Sequence, residues 1–317
     1  YIYQNEYYPS GLLKETIGPE ACSCQNRSYE YYADGKLKHV KTYLGSSSVG
    51  TNNFSSDPHC VALWRFENGA LTADSIGSNT LTQSGSPAAD TSNYREGSAS
   101  ANLASGRFYA TDASLSADYP FKSTDTNKKI SVCMWFNMTS GSTQYVGAGL
   151  YAKSTGSSQD GFIIAVHEPS GDGSGRIRLS IGGWMYDLPS GQTIYRNRWY
   201  HIGVTYQENG ANGAVTARIY DASDQSVTPY SLSTRQSTMS SHDLQIGTHK
   251  WSSRNFYGNI DELVVFNDVL TAEEVDQIRQ GTYGASSGGS GEVVYLQSIT
   301  YNNRGQKATV RGPYSED

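Results

Sequence analysis

Ile130-Ser131-Val132-Cys133-Met134-Trp135-Phe136-Asn137-Met138 carries the reading of the fold. Successive side chains of an extended chain point to opposite faces. Ile130, Val132, Met134, Phe136 and Met138 therefore share one face, with Ser131, Cys133, Trp135 and Asn137 on the other. The same period of two returns in Ile177, Leu179 and Ile181, separated by Arg178 and Ser180. It returns again where Tyr200, Ile202, Val204 and Tyr206 alternate with Trp199, His201, Gly203 and Thr205. Such strands, divided by turns rich in Gly, Ser, Asn and Asp, predict an all-β protein with two antiparallel sheets packed face to face.

Composition agrees with that reading. The 317 residues include 33 Gly and 24 Tyr, with only 17% charged residues, a turn-rich β composition rather than a helical one. Net charge is −6 and no Lys/Arg cluster exceeds a dipeptide, so neither nucleic acid nor an anionic membrane is an expected partner. No apolar run reaches the length of a membrane span, and no membrane insertion is expected. One helix is signalled. Thr271-Ala272-Glu273-Glu274 is a capping box, Leu270 and Val275 form a hydrophobic staple, and Gly281 suits the closing position.

Repeats and linkers divide the chain. Tyr7-Tyr8-Pro9-Ser10-Gly11-Leu12-Leu13-Lys14 resembles Tyr31-Tyr32-Ala33-Asp34-Gly35-Lys36-Leu37-Lys38, and a third copy runs from Thr300 through Tyr301 and Gly305 to Lys307. Each reads as a strand ending in tyrosine, a glycine turn and a returning strand. The expected order is hairpin repeats over 1–45, a linker over 46–56 and a sandwich over 57–283. A Gly/Ser linker over 284–291 and a return to the hairpin repeat over 292–317 follow. A chain that starts and stops within a repeat pattern reads as part of a longer protein.

Cys22, Cys24, Cys60 and Cys133 do not have zinc-site spacing. Cys133 reads as a buried small hydrophobe. One disulfide such as Cys24–Cys60 is compatible with the sequence, which does not choose among the three pairings. Three glycosylation sequons, at Asn26, Asn53 and Asn137, carry little weight in so Asn-rich a β protein.

The hairpin copies resemble the YD-repeat (RHS) family, which builds hollow β-shells in bacterial toxins and surface proteins. The central segment resembles laminin-G-like, concanavalin A-like jelly rolls. The motifs that carry this are Val61-Ala62-Leu63-Trp64-Arg65-Phe66-Glu67 and Ala73–Asn79, then Arg198–Tyr206, Leu244–Gly247, and Phe256–Asn267 with its following helix. The resemblance implies an extracellular recognition module, secreted or on a bacterial surface, often with bound calcium.

Calcium requires six to eight oxygens. The loop Asp74-Ser75-Ile76-Gly77-Ser78-Asn79 supplies carboxylate, amide and carbonyl oxygens, and the resemblance places Asp261 across from it. Asp74, Gly77, Asn79 and Asp261 are thus the expected metal ligands. The same residues also suit Asx turns and backbone hydrogen bonds, and both readings stay open.

A glycan or cell-surface receptor is the expected partner, with sugars stacking on aromatic rings beside polar side chains. Trp184 and Tyr186 in one loop, and Trp251, Arg254, Asn255 and Tyr257 in another, have that character. Trp64, Trp135 and Trp199 lie in strand patterns and are expected in the core. His201, mid-strand, reads as a structural residue.

No catalytic site is expected. Glycosidases of this fold carry paired carboxylates pointing into one cleft. Asp261 and Glu262 are adjacent, and a regular strand sends them to opposite faces; Glu273 and Glu274 belong to the capping box. The rival readings are a structural spacer that binds nothing beyond its ion, and a hydrolase of the concanavalin A-like kind.

Overall fold

The computed structural model describes residues 4–7, 10–17, 27–32, 34–44, 52–139, 147–154, 161–168, 174–188, 192–249, 254–284, 292–301, 307–311 and 314–315. These fall into two compact units, Tyr1–Asn52 with Ala285–Asp317, and Asn53–Gly284.

The first unit is one antiparallel sheet built from both ends of the chain. Its strands are β1 (Gln4–Tyr7), β2 (Leu13–Ile17), β3 (Arg27–Tyr31), β4 (Leu37–Leu44), β21 (Glu292–Tyr301), β22 (Lys307–Arg311) and β23 (Tyr314–Ser315). They run in the order β1-β2-β3-β4-β21-β22, with β23 also on β21. The three tyrosine repeats become three hairpins of matching register. Tyr7 faces Leu13, Tyr31 faces Leu37 and Tyr301 faces Lys307, and in each the register shifts at the tyrosine. Gly11 and Gly35 both hold φ +80 in their turns, a backbone that disfavours any other residue.

The second unit is a jelly-roll sandwich. Its first sheet holds β5 (Cys60–Trp64), β7 (Ala88–Asp90), β8 (Ser100–Asn102), β10 (Lys129–Met138), β16 (Trp199–Asn209), β17 (Asn212–Asp221), β18 (Ser226–Arg235) and β20 (Gly258–Phe266). The second holds β6 (Thr82–Gly85), β9 (Gly106–Ala110), β11 (Ala148–Lys153), β12 (Phe162–His167), β13 (Ser174–Ile181), β14 (Trp184–Asp187), β15 (Ile194–Tyr195) and β19 (Leu244–Ile246). The core between them takes the residues that the alternation assigns: Ile130, Val132, Met134, Phe136 and Met138 from β10, Ile177, Leu179 and Ile181 from β13, Tyr200, Ile202, Val204 and Tyr206 from β16.

Helix α1 (Ala272–Gln280) lies on the outer face of the first sheet. Val275, Ile278 and Leu270 pack there against Leu63, Cys133, Val264 and Phe266. Its capping box is formed as the sequence predicts, with Glu274 N–H donating to Thr271 Oγ1 at 3.2 Å and Thr271 N–H donating to Glu274 Oε2 at 2.7 Å. Thr271→Ala removes the acceptor and is expected to cost about 1 kcal/mol, read as a lower urea midpoint with unchanged slope.

The sandwich begins before residue 57. Phe54 packs on Phe266 and Tyr283, with centroids 6.1 and 5.5 Å away, and Asn53 N–H donates to the Tyr283 carbonyl at 2.7 Å. Entry and exit of this unit are therefore hydrogen-bonded neighbours. Cys60 and Cys133 are free thiols, and Cys22 and Cys24 lie outside the described residues.

Candidate functional site

The loop expected to hold calcium is filled by protein donors. Asp74 Oδ1 accepts from the N–H groups of Leu63, Ile76 and Gly77 at 3.0–3.1 Å. Its Oδ2 accepts from Asn79 N–H at 2.9 Å and Asn79 Nδ2 at 3.3 Å. Asn79 Oδ1 accepts from Ser116 N–H, and its amide also donates to the Val61 carbonyl. Five donors thus converge on the Asp74 carboxylate and present positive ends where a cation would sit. Asp74, Gly77 and Asn79 form an Asx-type turn that closes the loop on β5, and this set does not fit calcium.

Asp261 serves a different loop. Its Oδ2 accepts from the N–H groups of Arg95 and Glu96 at 2.7 and 3.1 Å. Among the described residues, no group of three or more His, Cys, Asp or Glu is arranged to hold a metal ion.

The strand bearing Asp261 departs from the regular alternation. Register with β10 shifts between Cys133 and Trp135, and Glu262 sits at φ +46. This is a β-bulge, which inserts one residue into the pattern. Ile260, Leu263 and Val265 all face the core, so Asp261 and Glu262 both project from the outer face. The expectation of opposite faces is corrected. Both carboxyls are sealed, at 0% and 5% exposure. Burial, with the Glu96 charge adding to it, pushes Asp261 up to about 7 and Glu262 up to about 8.

Trp135 and Trp199 also lie on this outer face rather than in the core between the sheets. Trp135 Nε1 donates to Glu96 Oε1 at 3.3 Å and Trp199 Nε1 to Asn93 Oδ1 at 2.9 Å, pinning the 90–98 loop over the sheet. Arg95 stacks on Trp135 at 4.3 Å. His201 lies 5.1 Å from that ring, and burial, with Arg279 and Arg95 adding, pushes it down to about 3, so it stays neutral. Trp64 is in the core as expected.

The aromatic candidates separate. Trp184 is half exposed at the end of β14, with the Arg235 guanidinium over its ring at 4.0 Å. Tyr186, two residues on, packs against the core and accepts the Arg235 N–H at 2.9 Å. Asp187 turns the other way and forms a two-point pair with Arg178 at 2.6 and 2.8 Å. Trp184 and Tyr186 are therefore not brought together with Arg254 and Asn255. Trp251 lies outside the described residues. Tyr257 accepts from Thr139 N–H through its carbonyl, and Asn255 Oδ1 accepts from Thr248 Oγ1 at 2.8 Å.

What the second sheet does assemble on its outer face is a polar cluster. Gly149, Ala165, Arg178 and Asp187 form one row across β11, β12, β13 and β14, and Gln245, Ala152 and Ile163 the next. Residues 248 and 249 cross directly over Gly149, where a Cβ would stand 2.5 Å from the Thr248 carbonyl and 2.8 Å from His249 N. Gly149 N–H donates to the Arg254 carbonyl at 3.2 Å. His249 Nε2 lies 3.2 Å from the Gly147 carbonyl. A carbonyl only accepts, so Nε2 carries the proton and Nδ1 is left as an acceptor. Burial, with Arg254 adding, pushes His249 down to about 4, which keeps this neutral form at pH 7.

Three atoms here are shielded from solvent without a hydrogen-bond partner among the described residues: His249 Nδ1, Gln245 Oε1 and Arg254 Nη1. Arg254 is the one member anticipated from sequence. Arg178 sits at a strand position whose outward face was legible. His249 carries no local signal, because only the crossing over Gly149 brings it to the cluster, and Gln245 arrives through the non-local pairing of β19 with β11.

Two face-to-face antiparallel sheets define a jelly-roll sandwich. The family model described as the concanavalin A-like lectin/glucanases superfamily, of laminin-G type, matches residues 110–276, more than half of the chain. The chain belongs to that superfamily.

The solved structures similar to it include three described as follows. Domain 4 of a GH43 extracellular arabinanase from Geobacillus stearothermophilus, in complex with arabinotriose, is 19% identical, with 69% of this chain and 97% of that one covered and a TM-score of 0.48. The binding domain of Paraclostridial Mosquitocidal Protein 1 is 14% identical over 69% of this chain and 51% of that one, with a TM-score of 0.48. The receptor binding domain of botulinum neurotoxin type G is 14% identical over 70% and 51%, with a TM-score of 0.45. The chain thus spans about half the length of these two toxin domains. No curated protein matches the chain in sequence.

Proposed function

We propose that the sandwich is a non-catalytic carbohydrate-recognition module whose ligand lies on the outer face of the second sheet. The module acts outside the cell, carried by the tyrosine hairpins as part of a longer YD-repeat protein. One observation carries this reading: a buried donor, Arg254 Nη1, and two buried acceptors, His249 Nδ1 and Gln245 Oε1, have no hydrogen-bond partner among the described residues, on adjoining rows of one sheet face. A buried polar atom without a partner costs about 1–3 kcal/mol. Such groups in a native protein call for an explanation, and a bound ligand is one that supplies it. A polyhydroxylated ligand offers donors and acceptors together and matches that mixture. Membership of a superfamily that includes lectins agrees with it.

Gln245→Leu tests the reading. It removes a buried acceptor whose Oε1 makes no hydrogen bond among the described residues. The fold is expected to keep or raise its melting temperature, while affinity for a glycan selected on an array falls at least fivefold. A purely structural glutamine would leave affinity unchanged. A flat array response from the full chain, with or without added calcium, overturns the proposal.

A further inference from the structure

We propose that the Asp57–Pro58 peptide bond is a self-cleavage site, broken in mild acid by the Asp57 carboxyl. Of the nine prolines, Pro58 alone follows an aspartate. An aspartate carboxyl reaches its own backbone carbonyl by closing a small ring. The nitrogen it would expel here is prolyl, a tertiary amide nitrogen with no N–H. The fold adds the placement. Asp57 Oδ1 accepts from His59 N–H at 2.8 Å, an Asx turn whose ring contains the Asp57–Pro58 bond. The carboxyl is thereby folded forward over the bond it attacks. Its Oδ2 accepts from the hydroxyl of Tyr283, whose buried ring packs on Phe54 and Phe266.

The scissile carbonyl is held as firmly. Cys60 N–H donates to the Asp57 carbonyl at 3.1 Å, closing a β-turn over residues 57–60. That donor polarises the carbonyl and stabilises the oxyanion that forms when its carbon is attacked. Asp57 N–H is fixed on the Phe54 carbonyl at 3.1 Å, and His59 is tied to Asn267 by its carbonyl and by Nδ1, at 3.0 Å each. Groups already held in one arrangement need little further ordering before they react. Pro58 and His59 are exposed, so water and acid reach the bond. The ionisable groups facing this carboxyl are Cys60 on its own turn and Tyr283 beyond α1, while Asp74 and Glu274 act on those two.

In the reaction an Asp57 carboxyl oxygen bonds to the Asp57 backbone carbonyl carbon. The C–N bond to Pro58 breaks, its electron pair passes to the prolyl nitrogen, and the carboxyl proton follows it there. Acid is needed because the departing nitrogen takes a proton, and carboxyl groups carry one at about pH 4 and below. Water then opens the cyclic anhydride, leaving residue 57 as a C-terminal aspartic acid and Pro58 as a new N-terminus. Residues 58–284 keep one backbone connection to the tyrosine-hairpin sheet, through residue 285, in place of two.

The test holds the purified full chain, with protease inhibitors, at about pH 4, or at the lowest pH above it where tryptophan fluorescence reports an intact fold. A second sample is unfolded in urea at the same pH. Fragments 1–57 and 58–317 are expected from the folded chain, identified by mass and by Pro58 at the new N-terminus. They should appear about tenfold faster than in urea, because only the fold supplies the Cys60 donor and the fixed carboxyl. Added hydroxylamine is expected to trap the anhydride as a hydroxamate on residue 57. Asp57→Asn keeps an acceptor for His59 N–H but removes the acid, and should slow cleavage about tenfold or more. Pro58→Ala keeps the carboxyl and restores an ordinary amide N–H, and should slow it as well. A chain that stays intact, that cleaves equally fast in urea, or that cleaves undiminished with Asp57→Asn overturns the proposal.

Discussion

Lys153→Met is expected to destabilise the sandwich by about 3 kcal/mol, the largest loss from any single side chain discussed. Lys153 is completely buried at the end of β11. Its ammonium donates to Asp112 Oδ1 at 2.7 Å and the Ser240 carbonyl at 2.6 Å, and also to the His242 carbonyl. Three separate segments are thus tied to one charge. Methionine fills a similar volume but strands a carboxylate and two carbonyls, each of which has lost its donor. Asp112 keeps Ser123 and some contact with solvent, which holds the loss to the lower part of the range for broken buried pairs. All five tryptophans fall within Asn53–Gly284, so tryptophan fluorescence during urea unfolding follows this unit alone. Lys153→Met/Asp112→Asn should regain part of the loss, because the uncompensated charge is gone. A midpoint unchanged in the single variant would show that the ammonium ties nothing.

The buried pair on the bulge gives the second large effect, in its pH dependence. Asp261 and Glu262 are held up to about 7 and about 8, mainly by burial. Raised carboxyl groups keep protons in the folded state that the unfolded chain gives up near pH 4. Their stability contribution is complete below that pH and is lost as pH climbs through 7 and 8. Between pH 7 and pH 9 the wild type should lose about 2 kcal/mol relative to Asp261→Asn/Glu262→Gln. That window avoids the buried histidines, whose unfolded forms titrate below it. Cys60 and Cys133, also pushed up by burial, lose stability in the same direction but are common to both proteins. Parallel profiles for wild type and variant would rule the pair out as the source.

Much of the architecture was legible because it rests on local rules. The alternation in β10, β13 and β16 named the core residues correctly, since a strand with one buried face has no other register. Thr271 and Glu274 announced the helix through backbone chemistry confined to four residues. The tyrosine hairpins announced themselves by repetition, down to the same pairing offset in each. The failures have a common cause in non-local geometry. Nothing around Glu262 signals a bulge, for the residue adopting positive φ there is not a glycine. Trp135 and Trp199 look like core residues because an outer face covered by a loop makes the same demand for large apolar side chains. Asp74 has the ligand type that calcium needs, but whether its oxygens are free depends on where the N–H groups of residues 63 and 76–79 end up. The polar outer-face cluster draws on β13, β14, β19 and the segment that crosses Gly149, so no window of sequence contains it.

The pairing of β4 with β21 sets how the chain responds to force. Rungs run from His39–Ser298 to Leu44–Glu292, and everything between residues 44 and 292 is looped out behind the last of them. Tension arriving from beyond the two strands meets the His39–Ser298 end first and must unzip the ladder rung by rung before any of it reaches the sandwich. The stretch between residues 44 and 292 thus carries no tension while the ladder holds.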